Sequence, residues 1–117
     1  MKQSEFHLLG RTQHIHFVGI GGAGLSGIAE ILAHHGFQIT GSDQRRNEST
    51  QRLIDLGLII FHGHLAEQVG TADVVVTSPA VPNDNPEVQL AVARKIPVIR
   101  GAEMLAEIMR SYYSIAI

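Results

Sequence analysis

Six consecutive residues, Gly19-Ile20-Gly21-Gly22-Ala23-Gly24, carry the G-x-G-x-x-G spacing. The first glycine permits a tight strand-to-helix turn. The second leaves nothing between backbone N–H groups and a diphosphate, and the third lets a helix pack closely on a strand. A helix starting here aims unpaired N–H groups and the positive end of its dipole at an anion, so no lysine is required. The loop and the helix start behind it are therefore a candidate diphosphate site. Ser26 adds a hydroxyl in the first turn, where it is equally an ordinary first-turn residue. Asp43 follows about 20 residues later, where a carboxylate can accept from a ribose hydroxyl or a base N–H. The plain alternative is a glycine turn that only packs and an acid that is only solvated.

These residues do chemistry only if strands and helices place them. Short β-rich runs at His14 to Val18, Gln38 to Gly41, Leu58 to Phe61, Asp73 to Thr77 and Pro97 to Ile99 alternate with helical patterns, the signature of a parallel sheet. A helix is expected from about Ala23 to His35, with Leu25, Ile28, Ala29 and Leu32 on one face and Gly36 as its stop. Others are expected at Ser49 to Leu56, Leu65 to Val69, Pro86 to Arg94 and Ala102 to Arg110, the third opened by the cap signal Asn85-Pro86-Glu87. The expected fold is an α/β, Rossmann-like three-layer domain with a five-stranded parallel sheet. In that topology the fourth strand neighbours the first, which brings Ser78, Pro79, Ala80 and Val81 to the crevice where ligands bind. Residues 1–13 read as an N-terminal arm and 14–113 as the domain, while a strand pattern resumes at Ser114-Ile-Ala-Ile117, as if a further domain began there.

Composition narrows the classes. At 117 residues, 44% hydrophobic and 17% charged, one globular core is expected. A net charge of −2 with only Lys2 and Lys95 gives no cationic surface for a nucleic-acid backbone. Without cysteine there is no disulfide framework or thiolate metal site. No signal-peptide h-region or apolar run of about 20 residues appears, so no membrane is expected and a cytoplasmic home fits. Seven histidines invite a metal reading, yet none shows a ligand spacing with nearby acids. His64 differs by position: it falls at the carboxyl edge of the sheet near Asp43 and can face a base. No G-x-x-x-x-G-K-[ST] loop and no nucleophile-histidine-acid arrangement is present, so no catalytic residue is assigned.

The segment His16-Phe-Val-Gly-Ile-Gly-Gly-Ala-Gly-Leu-Ser-Gly-Ile-Ala-Glu30, followed by Gly41-Ser-Asp43, Thr50-Gln-Arg-Leu53, Gly63-His64, Asp73-Val-Val-Val76, Asn85-Pro86-Glu87 and Ala102-Glu-Met-Leu-Ala-Glu107, resembles the N-terminal domain of the Mur ligase family, in particular its UDP-N-acetylmuramate–L-alanine ligases. The resemblance runs from His14 to Ile117. It implies a three-domain cytoplasmic enzyme of peptidoglycan synthesis whose first domain holds UDP-N-acetylmuramate, whose second binds ATP and magnesium, and whose third brings L-alanine. The muramate carboxylate would be phosphorylated there and then attacked by the amine. It also implies that Gly21, Gly22, Ala23 and Gly24 cradle the diphosphate, that Ser42, Asp43 and His64 surround the uridine, and that Ser78, Pro79, Ala80 and Val81 lie along diphosphate and sugar. The residues given would bind without catalysing and would hold no cofactor themselves. Leu25, Pro79, Pro82 and Gly101 depart from the family's usual pattern, and the sister ligase that recycles muropeptides is the near alternative. Spacing alone does not separate UDP from the ADP half of NAD, so an NAD-binding domain of a dehydrogenase or regulatory module stands as the second reading.

Overall fold

The computed structural model describes residues 12–22 and 24–116. β1 (His14–Val18) runs through the glycine loop into α1 (Leu25–His34), and β2 (Gln38–Asp43) leads to α2 (Glu48–Asp55). β3 (Ile59–His62) is followed by a 3₁₀ turn (Ala66–Val69), then come β4 (Val74–Thr77), α3 (Pro86–Ala93), β5 (Val98–Arg100) and α4 (Gly101–Ala116). All strand pairs are parallel and the order is β3-β2-β1-β4-β5. The order reverses between β1 and β4, so the loops leaving those two strands diverge and open a crevice at the carboxyl edge.

Every residue of β1 is buried, and the period of two sends its side chains to opposite faces. Ile15 and Phe17 join Leu25, Ile28 and Leu32 of α1, Leu53 of α2 and Met104 and Ile108 of α4 in one apolar cluster. Val18 points the other way, to Val75, Val69 and the α3 residues Val88 and Ala91. The sheet is thus the middle of three layers, as expected. At about 1.5–3 kcal/mol for each large side chain fully buried, the first face carries most of the hydrophobic stabilisation. His14 and His16 share the second face with Val18, which makes that face polar.

Local chemistry sets the helix boundaries. The stripe expected on α1 is the one buried, and Gly36 stops the helix at φ 93°. Asn47 caps α2 by accepting from the Thr50 N–H while the Thr50 hydroxyl accepts from the Asn47 N–H, so the helix starts at Glu48. Asn85 caps α3 with Pro86 at the first helical position. Two expectations are corrected. Leu65 to Val69 yields a single 3₁₀ turn, too short to repay α-helix nucleation. Strand structure does not resume at Ser114: α4 continues through Ala116. Extending a formed helix adds a hydrogen bond per residue, whereas a strand gains none until it has a partner. The N-terminal arm up to residue 11, Ala23 and Ile117 lie outside the described residues. No helix among the described residues is long and apolar enough to cross a membrane.

Two glycines mark close packing. A Cβ on Gly41 would stand 2.5 Å from Ile20 Cδ1 and 2.9 Å from Ile20 Cβ, whereas the one close contact of a Cβ on Gly101 would be the end of Leu25, its Cδ2 at 2.5 Å, with Ile28 Cδ1 at an ordinary 3.6 Å. A side-chain tip can rotate away and a Cβ cannot. Gly41→Ala is therefore expected to cost about 1–3 kcal/mol and Gly101→Ala clearly less, read by urea unfolding of both variants. Equal costs would contradict this account of the two contacts.

Candidate nucleotide-binding site

The glycine loop turns at the carboxyl end of β1, pinned by the N–H groups of Gly19 and Ile20, which both donate to the Ser42 carbonyl at 2.8 and 3.0 Å. Gly22 N–H closes the turn on the Gly19 carbonyl at 2.9 Å. Gly24, at φ 83°, adopts the left-handed conformation that starts α1. That start has no side-chain cap and no acid in its first turn, whereas α2 and α3 carry both. An uncapped helix N-terminus keeps its donors and its positive dipole end for an anion. Ser26 is half-buried in this first turn.

Gly21 and Asp43 play parts that differ from the simplest expectation. The Gly21 N–H donates to Asp43 Oδ2 at 2.9 Å, and Arg45 N–H donates to Oδ1 at 2.8 Å. A Cβ on Gly21 would stand 2.7 Å from Thr50 Cγ2. Glycine is needed here because α2 packs against the loop. The Asp43 carboxylate ties the loop to the end of β2 and keeps further lone pairs for a ligand.

Several clefts open along this edge, and two of them hold the residues of interest. One of about 470 Å³ is lined by Asp43, Arg45, His64, Ala80, Asp84 and Asn85 among others. The second, about 380 Å³, lies where Gly24 and Leu25 meet Ser78, Pro79, Arg100 and Gly101. The Ser78 carbonyl accepts from Val81 N–H at 3.0 Å, and this turn brings Val81 over Gly19. The structure therefore brings Asp43, His64 and Ala80 together, and Gly24 with Ser78 and Pro79. Ser42 is fully buried and reaches the first cleft only through His64.

Beneath the first cleft lies a polar layer in which the sequence reading saw only scattered histidines and a helix-start signal. Glu87, fully buried at the second position of α3, sits 2.6 Å through Oε1 from His16 Nε2. Its Oε2 accepts from the Ser42 hydroxyl at 2.6 Å and lies 2.6 Å from His64 Nδ1. His16 Nδ1 is 2.8 Å and His14 Nε2 2.7 Å from the Thr40 hydroxyl, and His14 Nδ1 is 3.3 Å from that of Thr71. The clue available in the sequence was two histidines at alternate positions of a strand otherwise apolar, which on a buried strand demand a polar partner. Burial pushes the Glu87 carboxyl upward, but donors on His16, Ser42 and His64 outweigh it and hold the group below its usual range. Burial, and then the neighbouring His16, lower the pKa of His14. Among the described residues no group of three or more His, Asp or Glu is arranged to hold a metal ion.

A five-stranded parallel sheet between helix layers, with a glycine loop and an uncapped helix at its switch point, is a Rossmann-like α/β domain. Residues 14–113 match the model of the Mur ligase family, catalytic domain, and the chain belongs to that family. It is 60% identical over 110 residues to the UDP-N-acetylmuramate–L-alanine ligase of Syntrophotalea carbinolica, covering 94% of this chain and 24% of that protein. The crystal structure of the UDP-N-acetylmuramate–alanine ligase from Thermotoga maritima matches with a TM-score of 0.81 at 34% identity, over 86% of this chain and 23% of that one. A UDP-N-acetylmuramate:L-alanyl-γ-D-glutamyl-meso-diaminopimelate ligase from Neisseria meningitides gives a TM-score of 0.74 at 30% identity, over 82% of this chain and 31% of that one. The chain thus spans about a quarter of the length of its curated relative.

The lowered His14 and Glu87 both make acid destabilising. For each, the unfolded chain takes up the proton more readily, so its contribution is complete above the unfolded pKa and fades as pH falls through it towards the folded value. Tm is expected to fall in two stages, one starting near pH 6.5 and one near about pH 4.3. The Asp73 carboxyl is also held low, by the His14 and Gln13 N–H groups, and shares the lower stage, so Glu87→Gln should shrink that stage and keep the upper. A pH series of thermal melts checks this, and an unchanged lower stage in Glu87→Gln would assign it to another carboxylate.

Proposed function

We propose that this chain is the UDP-N-acetylmuramate-binding domain of an ATP-dependent ligase that joins L-alanine to that nucleotide sugar in peptidoglycan synthesis. The observation that carries the reading is the 60% identity with a UDP-N-acetylmuramate–L-alanine ligase over 110 residues, 94% of the chain. The geometry supports it. The uncapped start of α1 suits a diphosphate, with Gly22 and Gly24 shaping the backbone and Ser26 in its first turn. The cleft holding Asp43, His64 and Ala80, underpinned by Ser42, suits the uridine, and the cleft bordered by Ser78 and Pro79 suits the sugar side. Gly21 contributes by admitting α2 and by its bond to Asp43.

In this reading ATP and magnesium bind a second domain and L-alanine a third, both outside these residues, and the work is cytoplasmic. Phosphorylation of the muramate carboxylate makes a leaving group of its oxygen, and the amine of L-alanine displaces it. This chain's part is to hold the nucleotide end still. The NAD-binding alternative is weaker, because the spacing it rests on is equally that of this family and the relatives at high identity are ligases.

A ligand that binds only the folded state stabilises it by about 2.7 kcal/mol at a hundredfold excess over Kd, several degrees of Tm for a domain near 100 residues. Millimolar UDP-N-acetylmuramate is expected to give such a shift, UDP a smaller one, and NAD none. The chain alone should release no phosphate above the blank with ATP, magnesium, UDP-N-acetylmuramate and L-alanine. A shift with NAD and none with either uridine nucleotide would transfer the domain to the dehydrogenase class. Asp43→Ala should weaken UDP binding about ten- to a hundredfold, through the ribose contact and the loop tether together.

A further inference from the structure

The polar layer admits one consistent set of protons when its histidines are neutral. Glu87 is ionised, so its two oxygens only accept. His16 Nε2 and His64 Nδ1, each 2.6 Å from a carboxylate oxygen, must then carry hydrogens. With Nε2 protonated, His16 Nδ1 accepts, and the Thr40 hydroxyl donates to it. Having spent its one hydrogen, Thr40 Oγ1 accepts from His14 Nε2, while His14 Nδ1 lies 3.3 Å from the Thr71 hydroxyl. Donation therefore converges on Glu87 from both ends of the layer. No buried side-chain nitrogen or oxygen among the described residues is left unpaired.

His64 is the member that faces outward. It is 11% exposed and lines the larger cleft with Asp43, Arg45 and Asp84. Its Nδ1 is taken by Glu87 and Ser42, so Nε2 is the nitrogen left for the cleft. We propose that Glu87 is a positioning residue for nucleobase selection: it locks His64 as the Nδ1–H tautomer, so that a bare Nε2 lone pair meets the ligand. A lone pair accepts. It suits a base that offers an N–H, as uracil does at its imide N3, and repels one that offers another lone pair, as cytosine does at the same atom. Without Glu87, the Ser42 hydroxyl can donate to Nδ1, the hydrogen moves to Nε2, and the preference is lost. This inference rests on the uridine reading of the cleft given above.

The test uses the chain labelled with ¹⁵N at histidine, at about pH 8, above the ordinary histidine range, with UDP and CDP as probes. Long-range ¹H–¹⁵N correlation of the parent should show His64 protonated at Nδ1, and calorimetry should show UDP at least about tenfold tighter than CDP, the lower end of what an unpaired polar contact costs. Glu87→Met keeps the side-chain length and removes the acceptor. It should move the His64 hydrogen to Nε2 and bring the UDP-to-CDP ratio below threefold. If Glu87→Met does not fold, the parent decides alone: Nε2–H on His64, or equal binding of UDP and CDP, overturns the proposal while leaving uridine binding intact. Glu87→Met that folds, moves the proton and keeps the ratio overturns it as well. Absence of UDP binding by the parent overturns both this inference and the uridine reading.

Discussion

A carboxylate with no access to water sits under the switch point of this sheet, and the surrounding elements are arranged to keep it satisfied. Glu87 is held in place by the start of α3, where Asn85 caps the helix and the dipole favours a negative charge. Its donors come from three other elements: His16 on β1, Ser42 on β2 and His64 in the loop after β3. Leaving a buried polar group unsatisfied costs about 1–3 kcal/mol, and more where the group is charged, a large share of a small domain's stability. The relative placement of those strands and of α3 is therefore fixed by an electrostatic requirement as well as by packing.

The two faces of the sheet divide the work. Beneath α1, α2 and α4 an apolar cluster supplies the driving force for folding. Beneath α3 the apolar cluster is smaller and is completed by histidine, threonine and serine side chains that must each find a partner. The first face tolerates repacking of similar volumes, while the second specifies one arrangement. The ligand-facing residues stand at the edge where the two meet: the glycine loop leads into α1, and His64 rises from the polar layer.

Much of this was legible in the sequence. Strand cores, the buried stripe of α1 and the cap before α3 follow from period and capping chemistry, which act over a few residues. The loop hexad and Asp43 were found because their spacing is local. Glu87 was visible only as a helix-start residue, because its partners lie 71, 45 and 23 positions away along the chain. Only the order of strands brings them together. The tether between Asp43 and Gly21 was hidden for the same reason, and so was the reason for glycine at position 21, a methyl group of Thr50. The strand expected at Ser114 failed because β-prone residues declare a preference and not a partner.

The one-way sense of the hydrogen bonds in the polar layer has a bearing on how such a domain can drift. A chain of donors and acceptors that all point towards one acid cannot absorb a lone change at an inner link, since each replacement strands a neighbour's hydrogen or lone pair in a dry interior. Positions 14, 16, 40, 42, 64 and 87 are therefore energetically coupled, and a change at one is eased only by a matching change at a neighbour. The apolar cluster across the sheet is free of that bond and can wander residue by residue.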